Sequence, residues 1–129
     1  MGKRVLFFAL LIANGAANAE WTAIATGTDK SAVYADYSTI RRDGYLSKMW
    51  TLDDYKTKQT SLGVSYLSTK RQDEFDCKGE MTRTRAYVAF AGKMGNGKVM
   101  FSEPPSEQWQ PVTPGSIGER KWEIACGKP

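Results

Sequence analysis

Val64-Ser65-Tyr66-Leu67-Ser68-Thr69-Lys70-Arg71-Gln72-Asp73-Glu74-Phe75-Asp76-Cys77, the turn Lys78-Gly79-Glu80, and then Met81-Thr82-Arg83-Thr84-Arg85-Ala86-Tyr87-Val88-Ala89-Phe90-Ala91 decide the fold of this chain. Successive side chains of a strand point to opposite faces. Leu67, Phe75 and Cys77 therefore share one parity, and Ala86, Val88 and Phe90 alternate with Arg85, Tyr87 and Ala89. Two such runs on either side of a short glycine-containing turn read as an antiparallel hairpin.

The same pattern extends in both directions. Trp21–Thr26 and Ala32–Asp36 are short β-type segments separated by the turn-rich Gly27-Thr28-Asp29-Lys30. Tyr37–Arg42 reads as a single helical turn, and Asp43-Gly44 as a tight turn whose glycine tolerates positive φ. Tyr45–Tyr55 is a strand with Leu46, Trp50 and Leu52 on one face and Ser47, Thr51 and Asp53 on the other; Lys48 interrupts the apolar face. Thr57–Gly63 reads as a polar loop. Gly95-Asn96-Gly97 predicts a hairpin into Val99–Ser102, and Pro104-Pro105 ends that strand.

The last element reads as a helix. Ser116-Ile117-Gly118-Glu119 fits a capping box, in which serine and glutamate satisfy free amides at a helix start. Ile117, Trp122, Ile124, Ala125 and Cys126 form its apolar arc, which Lys121 interrupts. The predicted fold is α+β and mainly β: a single antiparallel sheet of five to six strands with a C-terminal helix packed on it.

The N-terminus predicts where the protein works. Lys3 and Arg4 precede the apolar run Val5–Ala13, and Ala17-Asn18-Ala19 places small residues where a signal peptidase reads them. Residues 1–19 are thus expected to be a signal peptide cut between Ala19 and Glu20, leaving residues 20–129 as one domain. An apolar run this short does not span a bilayer, so no transmembrane segment is expected after cleavage. Two of the 18 Lys and Arg residues lie in the leader, leaving 16 against 14 Asp and Glu. A balance of about +2 is too mild to argue for nucleic acid.

In an oxidising compartment, the two cysteines, Cys77 and Cys126, are expected to pair and to staple the helix to the end of a long strand. A catalytic thiol needs a low-pKa site, usually with a histidine or a C-x-x-C partner, and the chain has neither. Without His, two cysteines do not complete a zinc site, so no metal or other cofactor is expected. Gly92-Lys93-Met94-Gly95-Asn96-Gly97-Lys98 matches a phosphate-cradling loop, but Val99 replaces its Ser or Thr and β-type segments flank it on both sides. Asp53-Asp54 and Asp73-Glu74 each divide between two faces of a strand, which argues against a paired acid/base site; they read as solvated strand-end charges. No serine has a histidine to activate it, and no catalytic residues are assigned. The expected protein is not an enzyme.

Basic residues supply the one candidate interaction surface. Arg83 and Arg85 share a face by period 2, Lys70 or Arg71 lies on the strand expected to pair with theirs, and Lys56 and Lys58 sit in the adjoining loop. Such a face suits a sulfated glycan, a phosphate-bearing surface or an acidic protein patch. Reversing Arg83 and Arg85 to Glu is expected to weaken binding without unfolding the domain.

Several segments together resemble a known family. Val33-Tyr34-Ala35-Asp36, Ile40-Arg41-Arg42-Asp43-Gly44 and Trp50-Thr51-Leu52-Asp53-Asp54-Tyr55 are similar to the surface-adhesin protein E family of proteobacteria. So are Glu74-Phe75-Asp76-Cys77, Met94-Gly95-Asn96-Gly97-Lys98-Val99, Trp109-Gln110-Pro111-Val112 and the block from Pro114 through Trp122 to Cys126. The resemblance covers residues 21–126 in a consistent order. It implies an antiparallel sheet with a C-terminal helix, a Cys77–Cys126 bridge, and a Gram-negative envelope protein that adheres to host matrix or surface proteins. A periplasmic ligand- or partner-binding envelope module with no adhesin role stands beside it, because no cysteine near the cleavage site offers a lipid anchor. An aromatic cleft involving Trp50, Tyr66 or Tyr87 would favour that second reading. Either way the expected partner is a protein or glycan, and a free strand edge leaves room for a homodimer. The expected location is the periplasm, the cell surface or the medium.

Overall fold

The computed structural model describes residues 19–27 and 31–128. The leader reading on residues 1–18 and the turn residues 28–30 lie outside the described residues; Ala19 and Glu20 are exposed. Thr22–Thr26 (β1), Ala32–Asp43 (β2), Leu46–Ser61 (β3), Val64–Asp76 (β4), Met81–Phe90 (β5) and Val99–Glu103 (β6) pair in chain order as one antiparallel meander. The two-residue Gln110–Pro111 (β7) pairs with the start of β5, at the opposite end from β6. Ile117–Cys126 (α1) packs across the middle strands. The predicted mainly-β architecture with a C-terminal helix is the one observed.

Two segments differ from the sequence reading. Tyr37–Arg42 is not a helical turn but part of β2, with a break in register between Asp36 and Arg41. There the Asp36 carboxylate accepts from the Ser38 amide at 3.0 Å, and the Thr39 hydroxyl accepts from the Trp50 amide at 2.9 Å. Side chains replace the missing ladder bonds, so the strand bulges and continues. Thr57–Gly63 is not a loop either. β3 runs on to Ser61 and turns back at Leu62-Gly63, both with positive φ, the conformation that closes a two-residue hairpin. The far end of the β3–β4 hairpin is polar because solvent, not core, surrounds it: Lys56, Thr57 and Lys58 are exposed and Leu62 is fully so.

The helix covers the face of β3 that looks polar in sequence. Ser47, Met49 and Thr51 are buried beneath it, and the Ser47 hydroxyl donates to the Ala125 carbonyl at 2.7 Å. Ala35, Met49, Phe75, Trp122, Ala125 and Cys126 form the core between sheet and helix. The Trp122 indole donates to the Asp76 carbonyl at 2.9 Å, and Cys77 is bonded to Cys126. On the opposite face, Leu52 is buried beside a single 3-10 turn, Lys93–Gly95.

The helix ends as its residues dictate. Ser116 accepts from the Glu119 amide at 3.1 Å, while the Glu119 carboxylate reaches the Gly115 amide at 2.9 Å, one residue earlier than a capping box requires. Gly127 closes the helix at φ 69°, in the left-handed region that glycine enters at little cost.

Candidate functional site

The six basic residues expected to form one surface occupy separate places. Lys56 and Lys58 are exposed near the tip of the β3–β4 hairpin. Lys70 and Arg71, being adjacent, point to opposite faces of β4. The Lys70 ammonium lies on the side away from the helix, 5.2 Å from the Phe90 ring centre and 5.7 Å from that of Trp21. Arg71 is on the helix side, where its Nε pairs with Asp73 at 3.3 Å and its Nη2 donates to Thr84 at 2.6 Å.

Arg83 and Arg85 do come together, at the β5 edge. Arg83 holds the buried Glu74 carboxylate at 2.8 Å, stacks 4.4 Å from the Trp109 ring centre, and reaches Glu107 at 3.4 Å. Arg85 meets the same Glu107 at 3.3 Å and the Ser106 carbonyl at 2.9 Å. Period 2 alone does not explain this, because the pairing slips between Gln72 and Asp73 and leaves Arg85 outside the ladder. Glu107 on the following segment gathers both guanidinium groups.

The acidic pairs need a correction. Asp73, Glu74 and Asp54 are not solvated strand ends; all three are buried and partnered. Arg71 neutralises Asp73, Arg83 neutralises Glu74, and Asp54 accepts from the Met94 amide at 2.7 Å and pairs with Lys93 at 3.2 Å. Cations offset this burial, and those of Glu74 and Asp54 lie 9 and 39 residues away in sequence, beyond any local pattern of charges. The glycine-rich Gly92–Lys98 segment joins two antiparallel strands, as its flanks predict, and is not followed by a helix.

One concave site emerges that the sequence reading missed. A cleft of about 440 Å³ opens on the helix side of the sheet. Asp53, Arg71 and Asp73 line it from the sheet, Ile117, Gly118 and Lys121 from the first turns of α1, and Ser106, Gln108 and Gln110 from the segment after β6. Lys121, read as a break in the apolar arc, is only 8 % exposed. Burial pulls its ammonium below the usual lysine range, while Asp53 and Asp73 work in the opposite direction. The available clue was a cation standing within an otherwise apolar helix face.

An aromatic row borders the cleft. The Tyr55 and Tyr66 rings lie 5.9 Å apart, Tyr66 and Phe101 5.5 Å, and Phe101 and Tyr87 6.3 Å. Tyr66, Tyr87 and Phe101 line a second hollow of about 400 Å³, which shares Arg71, Thr84 and Ser106 with the first. Trp50 lies elsewhere, with Trp21 and Lys70 on the other face. Thr69 is buried beside the phenols of Tyr55 and Tyr87 and works on both against the effect of burial.

Burial pushes the Tyr55 phenol up to about 12 from 10.0, with Asp53 adding to the effect, and raises Tyr87 as well. The fold therefore favours the neutral phenol. Its contribution is complete below pH 10, falls as the unfolded chain ionises above pH 10, and is gone near pH 12, where the folded phenol ionises too. Urea unfolding across that window is expected to show this decline, and Tyr55→Phe to flatten it. An equal decline in Tyr55→Phe would assign the effect to other groups.

Comparison with known proteins places this architecture. The family model described as Surface-adhesin protein E matches residues 21–127. No curated protein matches the chain. Among solved structures, a selenomethionine form of Haemophilus influenzae protein E is similar at a TM-score of 0.63 and 12 % identity, covering 81 % of this chain and 85 % of that one. A second crystal form of the same protein gives 0.61 and 12 %, covering 74 % and 80 %. Protein E from non-typeable Haemophilus influenzae gives 0.55 and 13 %, covering 85 % and 86 %. At these identities the structures share the fold.

Proposed function

The chain belongs to the surface-adhesin protein E family, and from that premise we propose that it is an exported, non-enzymatic adhesin that binds a protein or glycan on a host surface or matrix. Residues 1–19 serve as the cleaved leader and residues 20–129 as the binding domain. The family match across residues 21–127, nearly the whole of that domain, is the observation that carries this reading.

The β5 edge is the surface best suited to a macromolecular ligand. Arg83, Arg85, Trp109 and Glu107 sit together there, combining charge with an aromatic face. Arg and Trp are enriched where protein surfaces bind. Lys56, Lys58, Lys70 and Arg71 are secondary candidates, each in its own environment.

The geometry changes the mutational test. Arg83→Glu would set a second carboxylate against the buried Glu74, and is expected to destabilise the domain by at least about 2 kcal/mol. Arg85→Glu removes contacts to two exposed partners, Glu107 and the Ser106 carbonyl, and is expected to cost less than about 1 kcal/mol of stability while weakening a salt-sensitive ligand. Solid-phase binding to immobilised matrix proteins, beside thermal unfolding of both variants, checks this. Unchanged binding by Arg85→Glu would remove this edge from the site.

A periplasmic ligand-binding module is the second reading, favoured by the hollow that Tyr66 and Tyr87 line. Protease or antibody accessibility separates the two. Access on intact cells supports the adhesin, whereas access only after outer-membrane permeabilisation overturns it in favour of the periplasmic module.

A further inference from the structure

Lys121 presents its ammonium group to the cleft. Among the described residues no carboxylate lies within ion-pair distance of it and no acceptor within hydrogen-bond distance, yet the residue is more than nine-tenths buried. The stem is packed away, but the ammonium is not one of the fully enclosed unpartnered polar atoms among the described residues, so it meets the solvent of the cleft and is open to a ligand there. The groups acting on it electrostatically are Asp53, Asp73 and Arg71, all lining the cleft, so the ammonium is directed there rather than toward the core.

The surroundings add further unused donors. Arg71 commits Nε to Asp73 and Nη2 to Thr84, leaving Nη1 without a hydrogen bond among the described residues. Ile117 and Gly118, the first residues of α1, form the adjoining wall, and the Ser116 cap accepts from Glu119. The first amides of a helix have no intrahelical acceptor, and the helix dipole there favours an anion. Lys121 and the helix start thus border the cleft from the helix, and Arg71 borders it from the sheet. On its floor Asp53 makes no hydrogen bond or ion pair among the described residues and is an open acceptor, and the Gln108 and Gln110 amides face it from the far wall.

This distribution selects the ligand. A multiply charged anion would meet Asp53 and Asp73 at the same site. A single carboxylate fits the cationic side, and hydroxyl groups donating to Asp53 fit the floor. About 440 Å³ lies within the range of small-molecule sites. We propose that this cleft binds a small hydroxylated monocarboxylate of the sugar-acid class, with Lys121 and Arg71 on the carboxylate and Asp53 on a hydroxyl. The cleft adjoins the β5 edge, sharing Arg83 and Ser106 with it, but binding of a small acid to the purified domain does not require surface display, so its test is distinct from that of the adhesin reading.

Purified domain titrated with glucuronate, methyl glucuronide, glucose and inorganic phosphate, followed by amide chemical shifts, tests it. Glucuronate is expected to move Gly118 and Thr84 saturably, with glucose and phosphate at least about tenfold weaker. Binding of the free acid alone assigns a free sugar acid; equal binding of the methyl glycoside assigns the acidic end of a glycan. Lys121→Met removes the buried charge and is expected to fold at least as stably while losing about tenfold or more in affinity. Lys121→Gln serves as a second variant should methionine disturb the packing. Absence of saturable shifts with both uronates, equal response to glucose or phosphate, or undiminished affinity in a folded Lys121 variant would each overturn the proposal.

Discussion

Replacing Cys77 and Cys126 together by alanine is expected to lower the stability of the domain by about 4 kcal/mol. The bridge joins residues 49 apart, and closing a loop of that size removes about this much free energy from the unfolded chain in the chain-entropy model. For a domain of this size each 1 kcal/mol moves the melting midpoint by roughly 4–8 °C, so a fall of about 20 °C is expected. The effect has a structural location as well. Cys126 ends α1, and α1 forms one wall of the Lys121 cleft. Without the bridge, that helix is held by the Trp122 indole on the Asp76 carbonyl, the Ser47 hydroxyl on the Ala125 carbonyl, and the packing of Trp122 and Ala125. Thermal unfolding of the double variant, with reduced wild-type protein alongside, checks the expectation. A loss below about 1 kcal/mol would mean that packing alone fixes the helix.

Phe75→Ala is expected to cost about 4 kcal/mol, within the range observed when a buried aromatic is truncated in a core. Phe75 is 1 % exposed and stands on β4 opposite Ser47 of β3 and Thr82 of β5, directly under the helix. Its cross-strand neighbours Ser47 and Thr82 are too small to fill the space it vacates, which leaves only Met49 and Trp122 of the same cluster to close over it. It also lines the cleft, and its loss is expected to loosen the floor beneath Lys121. Urea midpoints give the comparison, with Leu62→Ser as a control. Leu62 is fully exposed at the β3–β4 turn and its replacement is expected to change stability by less than about 0.5 kcal/mol. A cost for Phe75→Ala near that of the control would show that the helix–sheet layer is not the stabilising core.

Much of the fold was legible because the responsible interactions are local. The β4–β5 hairpin follows from two alternating runs about a short turn, and the helix start from Ser116. Where local rules failed, solvent or side chains replaced them. The far end of β3 lacks alternation because water surrounds the hairpin there, and β2 survives Tyr37–Arg42 because Asp36 and Thr39 supply hydrogen bonds across the bulge. The candidate site was less legible. The basic residues could be named, but not grouped, since Glu107 draws Arg83 and Arg85 together while adjacent Lys70 and Arg71 part to opposite faces.

The sequence by itself determined the strands outside Tyr37–Arg42 and Thr57–Gly63, the capped start of the helix, the cysteine bridge and the family, because each rests on near neighbours, on the only pair of cysteines, or on motifs in order. Only the tertiary structure decided which side of the sheet the helix covers. Alternation along β3 distinguishes two faces but not what lies on each, and the helix rests on Ser47, Met49 and Thr51 rather than beside Leu52. That choice places Lys121 over Asp53 and Asp73 and encloses the cleft. Burial and electrostatics depend on the sum of distant elements packed around a group, and no window of sequence contains that sum.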